Sequence, residues 1–121
     1  MQIRESAEMY LETILVLSKK GSVRAVDIAR EMNFSRPSVS VTVHNLEAEN
    51  YIKIHENGNI TLEPKGKKIA ERIYERHTVL SEILRKIGVS EENAVNDACK
   101  MEHIISDETF SCIKKFLSSL S

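Results

Sequence analysis

Apolar residues in the N-terminal part of the chain recur at the three- and four-residue spacing that is typical of amphipathic helices. This spacing predicts helices over about residues 5–18, 25–32 and 36–49. The apolar face of the first helix consists of Ala7, Tyr10, Leu11, Ile14 and Leu17. The third helix has a well-marked start, because Ser35 is a favoured N-cap residue and Pro37 suits a first helical turn.

The spacing changes between residues 51 and 62, where apolar residues occupy two short extended runs. Glu56-Asn57-Gly58-Asn59 joins the runs, and Asn-Gly is favoured in two-residue hairpin turns because both central residues need positive φ. The pattern therefore predicts a β-hairpin. Two short helices joined by a tight turn and followed by a hairpin form a winged helix-turn-helix, which we expect over residues 1–63.

Helical spacing returns at Pro64 and predicts helices over about 64–87, 90–106 and from residue 107 onward. The apolar face of the last helix includes Phe110, Phe116, Leu117 and Leu120. These helices carry more apolar surface than one small domain can cover, so we expect a two-fold dimer with that face in the interface or in the core behind it. The expected fold is mainly α with a small β-hairpin wing, and residues 64–121 form a helical dimerisation domain.

Composition narrows the class of protein. Of the 121 residues, 41% are hydrophobic and 29% are charged, which is ordinary for a soluble globular protein. The charged N-terminus lacks the apolar core of a signal peptide, and two cysteines are too few for a disulfide framework, so we expect a cytoplasmic protein without a membrane partner. The net charge of -1 argues against a protein that holds any nucleic acid by charge alone. A specific DNA-binding protein would need a second source of affinity, such as carboxylates that await a cation.

The third predicted helix is the candidate DNA-reading element. Opposite its apolar stripe it exposes small polar and apolar side chains that suit phosphate oxygens and thymine methyl groups. The predicted DNA-binding residues are Ser35, Arg36, Pro37, Ser38, Ser40, Val41 and Thr42. An alternative is that the helix-turn-helix serves as a protein–protein module.

Candidate metal chemistry lies near the C-terminus, where Cys99, Glu102 and His103 follow the i, i+3, i+4 spacing of one helical face. Thiolate, carboxylate and imidazole groups bind first-row transition metals well. His77 lies on the apolar stripe of the long helix. The alternatives are a small buried cysteine and a hydrogen-bonded core histidine.

The first helix offers two further candidate ligands. Met9 and Glu12 lie one turn apart, on the side that the apolar stripe does not use. The alternative is a solvated glutamate beside an exposed methionine. With the C-terminal candidates they would supply a thioether, two carboxylates, a thiolate and two imidazoles from three helices.

The ordered motifs resemble those of the DtxR/MntR-type metal-dependent transcriptional repressors over essentially the whole chain. The motifs are Glu8-Met-Tyr-Leu-Glu12, Asp27-Ile-Ala, Ser35-Arg-Pro-Ser-Val-Ser40, Leu62-Glu-Pro-Lys-Gly66, Arg76-His77 and Asn96-Asp-Ala-Cys99-Lys-Met-Glu102-His103. The resemblance implies a homodimer with an N-terminal winged helix and a helical dimerisation and metal-binding domain. It also implies that divalent iron or manganese acts as corepressor.

The resemblance implies a hybrid ligand set. Residues that match the primary site of the iron-responsive branch are Met9, Cys99, Glu102 and His103. His77 matches a ligand of both branches, and Glu12 matches a ligand of the manganese branch, which has carboxylates in place of Met9 and Cys99. Ser81 and Val95 stand where the iron branch has ancillary ligands, and neither is a plausible ligand, so no second site of that kind is expected. An SH3-like third domain, which longer members of the family have, is not expected either. Sulfur ligands favour Fe²⁺, with Mn²⁺ also possible.

The expected function is therefore a metal-dependent DNA-binding regulator that represses metal-uptake genes at a palindromic operator. One alternative is a metal-independent winged-helix regulator that responds to an organic effector. The other is a small metalloenzyme that uses Glu102 as a general base, although the sequence has no His-Glu-x-x-His motif and no glycine-rich phosphate loop.

Overall fold

The computed structural model of the chain describes residues 5–120. In chain order, its elements are α1 (Glu5–Ser18), α2 (Ala25–Met32), α3 (Arg36–Ala48), β1 (Ile52–Ile54), β2 (Ile60–Leu62), α4 (Pro64–Lys86), α5 (Glu91–Met101) and α6 (Asp107–Ser119). The expected mainly α fold with one antiparallel hairpin is confirmed. No helix in this part of the chain is long and apolar enough to cross a membrane.

Two compact units make up the described chain, the first ending at Glu71 and the second starting at Arg72. The division falls inside α4. In the first unit, α1, α2, α3 and the hairpin contribute to one core, as the predicted apolar faces require. Its buried residues are Tyr10, Leu11, Ile14, Val23, Ile28, Ala29, Val39, Val43, Leu46, Ile52, Ile60 and Ala70.

The turn between α2 and α3 is set by local backbone chemistry. Asn33 ends α2 in the left-handed conformation, with φ 57°, which asparagine adopts more readily than most residues. Ser35 then caps α3, because its hydroxyl oxygen accepts the backbone N–H of Ser38 at 3.3 Å. The helix-turn-helix therefore follows from side chains within the turn itself.

The hairpin turn differs from the predicted two-residue Asn57-Gly58 turn. The backbone N–H of His55 donates to the carbonyl of Asn59 at 2.8 Å, so residues 56–58 form a three-residue loop. Within this turn only Gly58 has a positive φ, of 87°. The two-residue prediction was wrong because a three-residue loop needs just one left-handed residue, and glycine supplies it.

Two contacts fix the hairpin in the first unit. The N–H of Ile60 donates to the carbonyl of Val23 at 2.7 Å, and the N–H of Val23 donates to the Asn59 side-chain oxygen at 3.0 Å. At the start of α4, a Cβ on Gly66 would lie 2.1 Å from the carbonyl oxygen of Tyr51. Glycine is therefore required where the long helix passes the first strand.

The second unit contains the rest of α4 together with α5 and α6. Ser90 and Ser106 cap the two shorter helices, each accepting the N–H three residues ahead. α5 ends at Met101, so the prediction that it continues to about residue 106 was wrong. After Met101 the N–H groups of His103 and Ile104 donate to carbonyls three residues back, so the unbroken i→i+4 pattern of the helix stops there.

Candidate metal centre and DNA-binding surface

Three side chains that could hold a metal ion converge in the second unit. His77 lies on α4, Cys99 lies near the end of α5, and Glu102 is the residue that caps α5. One ligand atom from each lies within 4.8 Å of the others. The Nδ1 atom of His77 is 2.9 Å from Glu102 Oε2 and 3.8 Å from Cys99 Sγ. This set of sulfur, nitrogen and oxygen donors fits a first-row divalent metal ion.

Burial distinguishes the donors from one another. Glu102 is 1% exposed, and a buried carboxylate is costly unless it is paired. Its Oε2 atom contacts His77, and its Oε1 atom lies 3.4 Å from Nε2 of His103, whose side chain is also buried. Cys99 is an exposed free thiol. The cluster therefore joins a buried anion to a donor that an ion in solution can reach.

The acidic neighbours of His77 change its proton affinity. Hydrogen bonds with the Cys99 side chain and then with the Glu102 carboxylate raise the pKa of His77 to about 10, although burial acts in the opposite direction. The imidazole therefore holds a proton at neutral pH in the metal-free protein. A metal ion held by this imidazole would have to displace the proton, so its binding would depend on pH.

Cys99, Glu102 and His103 were predicted to lie on one face of a single helix, and only Cys99 lies within the helix. Cys99 lies within α5, but Glu102 is its C-cap with α-helical φ and ψ, and His103 lies in the turn that follows. The turn still brings His103 against Glu102. Ser81, predicted not to be a ligand, donates its hydroxyl to the His77 carbonyl at 2.8 Å.

The two candidate ligands of α1 lie in the first unit. Met9 is 38% exposed and Glu12 is half-buried, one helical turn further on. An exposed methionine is unusual in a helix with a complete apolar face. Both residues stay predicted ligands.

The candidate DNA-reading surface lies on α3. Its predicted contact residues are exposed except Thr42, which is half-buried. Val41 is 63% exposed, whereas Val39 and Val43 lie in the core. The helix thus has the orientation that its sequence pattern predicts. The Ser35 hydroxyl caps the helix and donates to the Ser38 hydroxyl, so its first role is structural.

Sequence reasoning assigned no role to Arg76, which is 4% exposed. The signal was present, because Arg76 is three residues after Ile73 and four before Leu80, both fully buried on the apolar stripe of α4. A charged residue on such a stripe is rarely buried without partners. The guanidinium donates to the backbone carbonyls of Glu102 and Ile105.

Comparison with known proteins covers both units. Residues 2–60 match the N-terminal DNA-binding domain of iron-dependent repressors, and residues 63–121 match their metal-binding and dimerisation domain. The MntR transcriptional regulator of Geobacillus thermodenitrificans is 39% identical over 102 residues, covering 84% of this chain and 72% of that protein. MntR of Lysinibacillus sphaericus is 37% identical over 102 residues, covering 84% and 73%.

Solved structures share the fold. The manganese regulator SloR has a TM-score of 0.80 at 26% identity, and IdeR of T. acidophilum has a TM-score of 0.76 at 26% identity. Each match covers 98% of this chain and 55% of the other, so the chain spans about half the length of these structures. The fold and the donor cluster define a winged-helix transcriptional regulator with a metal-binding domain. The chain belongs to the DtxR/MntR family of iron-dependent repressors, and the metalloenzyme alternative is not supported, since these relatives are regulators.

The raised pKa of His77 predicts how the stability of the metal-free protein depends on pH. Because the folded pKa is about 10 against an ordinary 6.5, His77 contributes stability that is fully present below pH 6.5 and is lost as the pH rises toward 10. Urea unfolding with chelator and reductant should therefore give a smaller decrease across this range for His77→Gln than for the wild type. An equal decrease in both proteins would contradict the assignment.

Proposed function

We propose that this protein is a cytoplasmic repressor of metal-uptake genes that Fe²⁺ or Mn²⁺ activates. The observation that carries the proposal is the cluster of His77, Cys99 and Glu102, whose ligand atoms lie within 4.8 Å of one another in the region that matches a metal-binding domain. Cys99 and the predicted ligand Met9 favour Fe²⁺, since Mn²⁺ prefers oxygen ligands. The carboxylates favour Mn²⁺. Two structural relatives whose names specify manganese support the same ion.

In the proposed mechanism, a divalent metal ion replaces the proton that His77 holds in the metal-free protein. In the metal-free protein the proton on His77 lies between the Cys99 thiol and the Glu102 carboxylate. When bound, a divalent ion supplies more positive charge and a directional coordination geometry. His77 would give up its proton to bind such an ion, and Cys99 and Glu102 would serve as its other ligands from this unit.

The first unit offers a way for metal binding to affect DNA binding. Leu11 and Ile14 of α1 pack in the same core as Val39 and Val43 of α3. If Met9 and Glu12 are ligands, coordination restrains α1, and the shared core passes this restraint to the DNA-reading helix. Metal binding would thus favour one of the arrangements that the metal-free protein already adopts. The coupling free energy between metal binding and DNA binding would be about 1–3 kcal/mol.

Metal dependence is tested by DNA mobility shift under reducing conditions, with chelator, Fe²⁺ or Mn²⁺. We expect either ion to raise operator affinity about 5- to 150-fold, the range of a coupling of this size. His77→Gln should abolish the increase and leave the weak metal-free binding unchanged. Operator binding that is equal with chelator and with metal would instead support a metal-independent regulator with an organic effector.

Metal preference is tested by the double substitution Cys99→Glu with Met9→Asp. Replacing two sulfur donors by carboxylates should shift activation toward Mn²⁺ without changing the metal-free protein. The ratio of the Mn²⁺ and Fe²⁺ concentrations that give half-maximal DNA binding measures the shift. An unaltered metal response would show that neither sulfur is a ligand.

We also propose that α3 reads the operator with Pro37 and Val41 against base edges and with Ser38, Ser40 and Thr42 on phosphates. Val41→Ala should change the preference at one base position by about 1–3 kcal/mol. Ser40→Ala should weaken binding to all sequences alike. Binding selection on a randomised operator separates the two effects. Unchanged operator affinity in Val41→Glu would show that α3 is oriented differently on DNA.

A two-fold dimer would present two copies of α3 to a palindromic operator. Phe116 and Leu120 of α6 are 56% and 46% exposed and are candidate interface residues, whereas Phe110 is buried in the core behind them. Sedimentation should show a dimer at micromolar concentration and a monomer for Phe116→Glu. A wild-type monomer, both with and without metal, would overturn the proposal.

A further inference from the structure

Arg76 is a buried cation that reaches the turn between α5 and α6. Its Nη1 atom donates to the carbonyl of Glu102 at 3.2 Å and to that of Ile105 at 2.8 Å. Its Nη2 atom donates to Oδ1 of Asp107, the first residue of α6. The guanidinium carbon also lies 5.4 Å from the ring centre of Phe110. One side chain of α4 therefore holds both ends of the turn.

The turn needs such a donor because a helix leaves its last carbonyl groups without backbone partners. α5 ends at Met101, and the carbonyls of Glu102 and Ile105 lie beyond it. A guanidinium presents several N–H groups in a rigid plane, so it can serve two carbonyls and a carboxylate together. The Asp107 carboxylate offsets the cost of burying the charge.

The same turn carries two predicted metal ligands. Arg76 holds the backbone of Glu102, while its neighbour His77 contacts the Glu102 carboxylate at 2.9 Å. His103 follows directly and has a buried side chain. The N–H of Glu102 still donates to the carbonyl of Ala98 at 3.0 Å, as within the helix, but the carbonyl of Glu102 lies beyond α5, where Arg76 donates to it.

We infer that Arg76 is a positioning residue of the metal centre. It cannot be a ligand, because a guanidinium stays protonated and offers no lone pair. It holds the backbone of the 102–107 turn so that Glu102 and His103 keep one geometry before a metal ion arrives. The inference rests on the proposed metal centre, and it adds a residue that acts on metal affinity from outside the ligand set.

The test compares Arg76→Gln and Arg76→Lys with a matched control, Lys114→Gln. Lys114 also joins α6 to α4, through an ion pair with Glu75 at 2.8 Å, but this pair is half-exposed and does not touch the turn. Co²⁺ serves as the probe, because its absorption spectrum reports both thiolate coordination and ligand geometry. Thermal unfolding of each metal-free variant is recorded alongside.

We expect Arg76→Gln to lower Co²⁺ affinity about 10- to 100-fold, as loss of an outer partner of a ligand commonly does, and to alter the ligand-field bands. Arg76→Lys should recover part of the affinity, because lysine keeps the positive charge but lacks the planar set of N–H donors of the guanidinium. Lys114→Gln should keep the wild-type affinity and spectrum, even if it unfolds at a lower temperature.

Wild-type affinity and spectrum in Arg76→Gln would overturn the inference, as would an equal loss of affinity in Lys114→Gln. If Arg76→Gln does not fold, Arg76→Lys decides, and a loss of less than about threefold with an unchanged spectrum counts against the inference. Wild-type protein without a thiolate-to-cobalt band would refute the proposed metal centre itself. A normal wild-type band with an unaffected Arg76 variant would refute the positioning role alone.

Discussion

The buried carboxylate of Glu102 is the constraint on which the second unit depends. An anion that is 1% exposed needs nearby positive charge or hydrogen-bond donors, and here it has His77 on one oxygen and His103 close to the other. Arg76 binds the carbonyl of the same residue. Cys99 and Glu102 raise the pKa of His77, so its imidazole holds a proton in the metal-free protein, and a metal ion at this cluster would have to compete with that proton.

The first unit depends on packing more than on charge. α1, α3 and the hairpin share one apolar core, and Val23 hydrogen-bonds to both Ile60 and Asn59 at the base of the wing. A close-packed core of this kind has low compressibility and transmits strain. A restraint on α1 would therefore shift the packing of α3 through the shared core. Candidate ligands on the first helix could affect DNA binding in this way without contacting DNA.

Local signals predicted most of the fold. Apolar spacing located the helices, and the caps at Ser35, Ser90 and Ser106 are serines that the sequence displays. The hairpin loop was mispredicted because Asn-Gly permits two loop lengths, and the strand register decides between them. The end of α5 could not be predicted, since it coincides with hydrogen bonds from Arg76, which is 26 residues away from Glu102 in the chain. The convergence of His77 with Cys99 and Glu102 followed from the resemblance, but their distances required the fold.

The exposure of the donors indicates where metal preference can change without loss of the fold. The manganese and iron branches that this chain resembles differ at the positions of Met9 and Cys99, and both side chains are exposed here. Exchanging an exposed sulfur for a carboxylate costs little folding energy, because the new charge stays hydrated. Replacing buried Glu102 would remove the carboxylate that contacts the imidazoles of His77 and His103, at a cost of about 1–3 kcal/mol for a buried hydrogen bond that is lost. In the proposed metal centre, the buried carboxylate would therefore maintain the cluster of the second unit, while the exposed sulfur of Cys99 could be exchanged to change which ion it prefers.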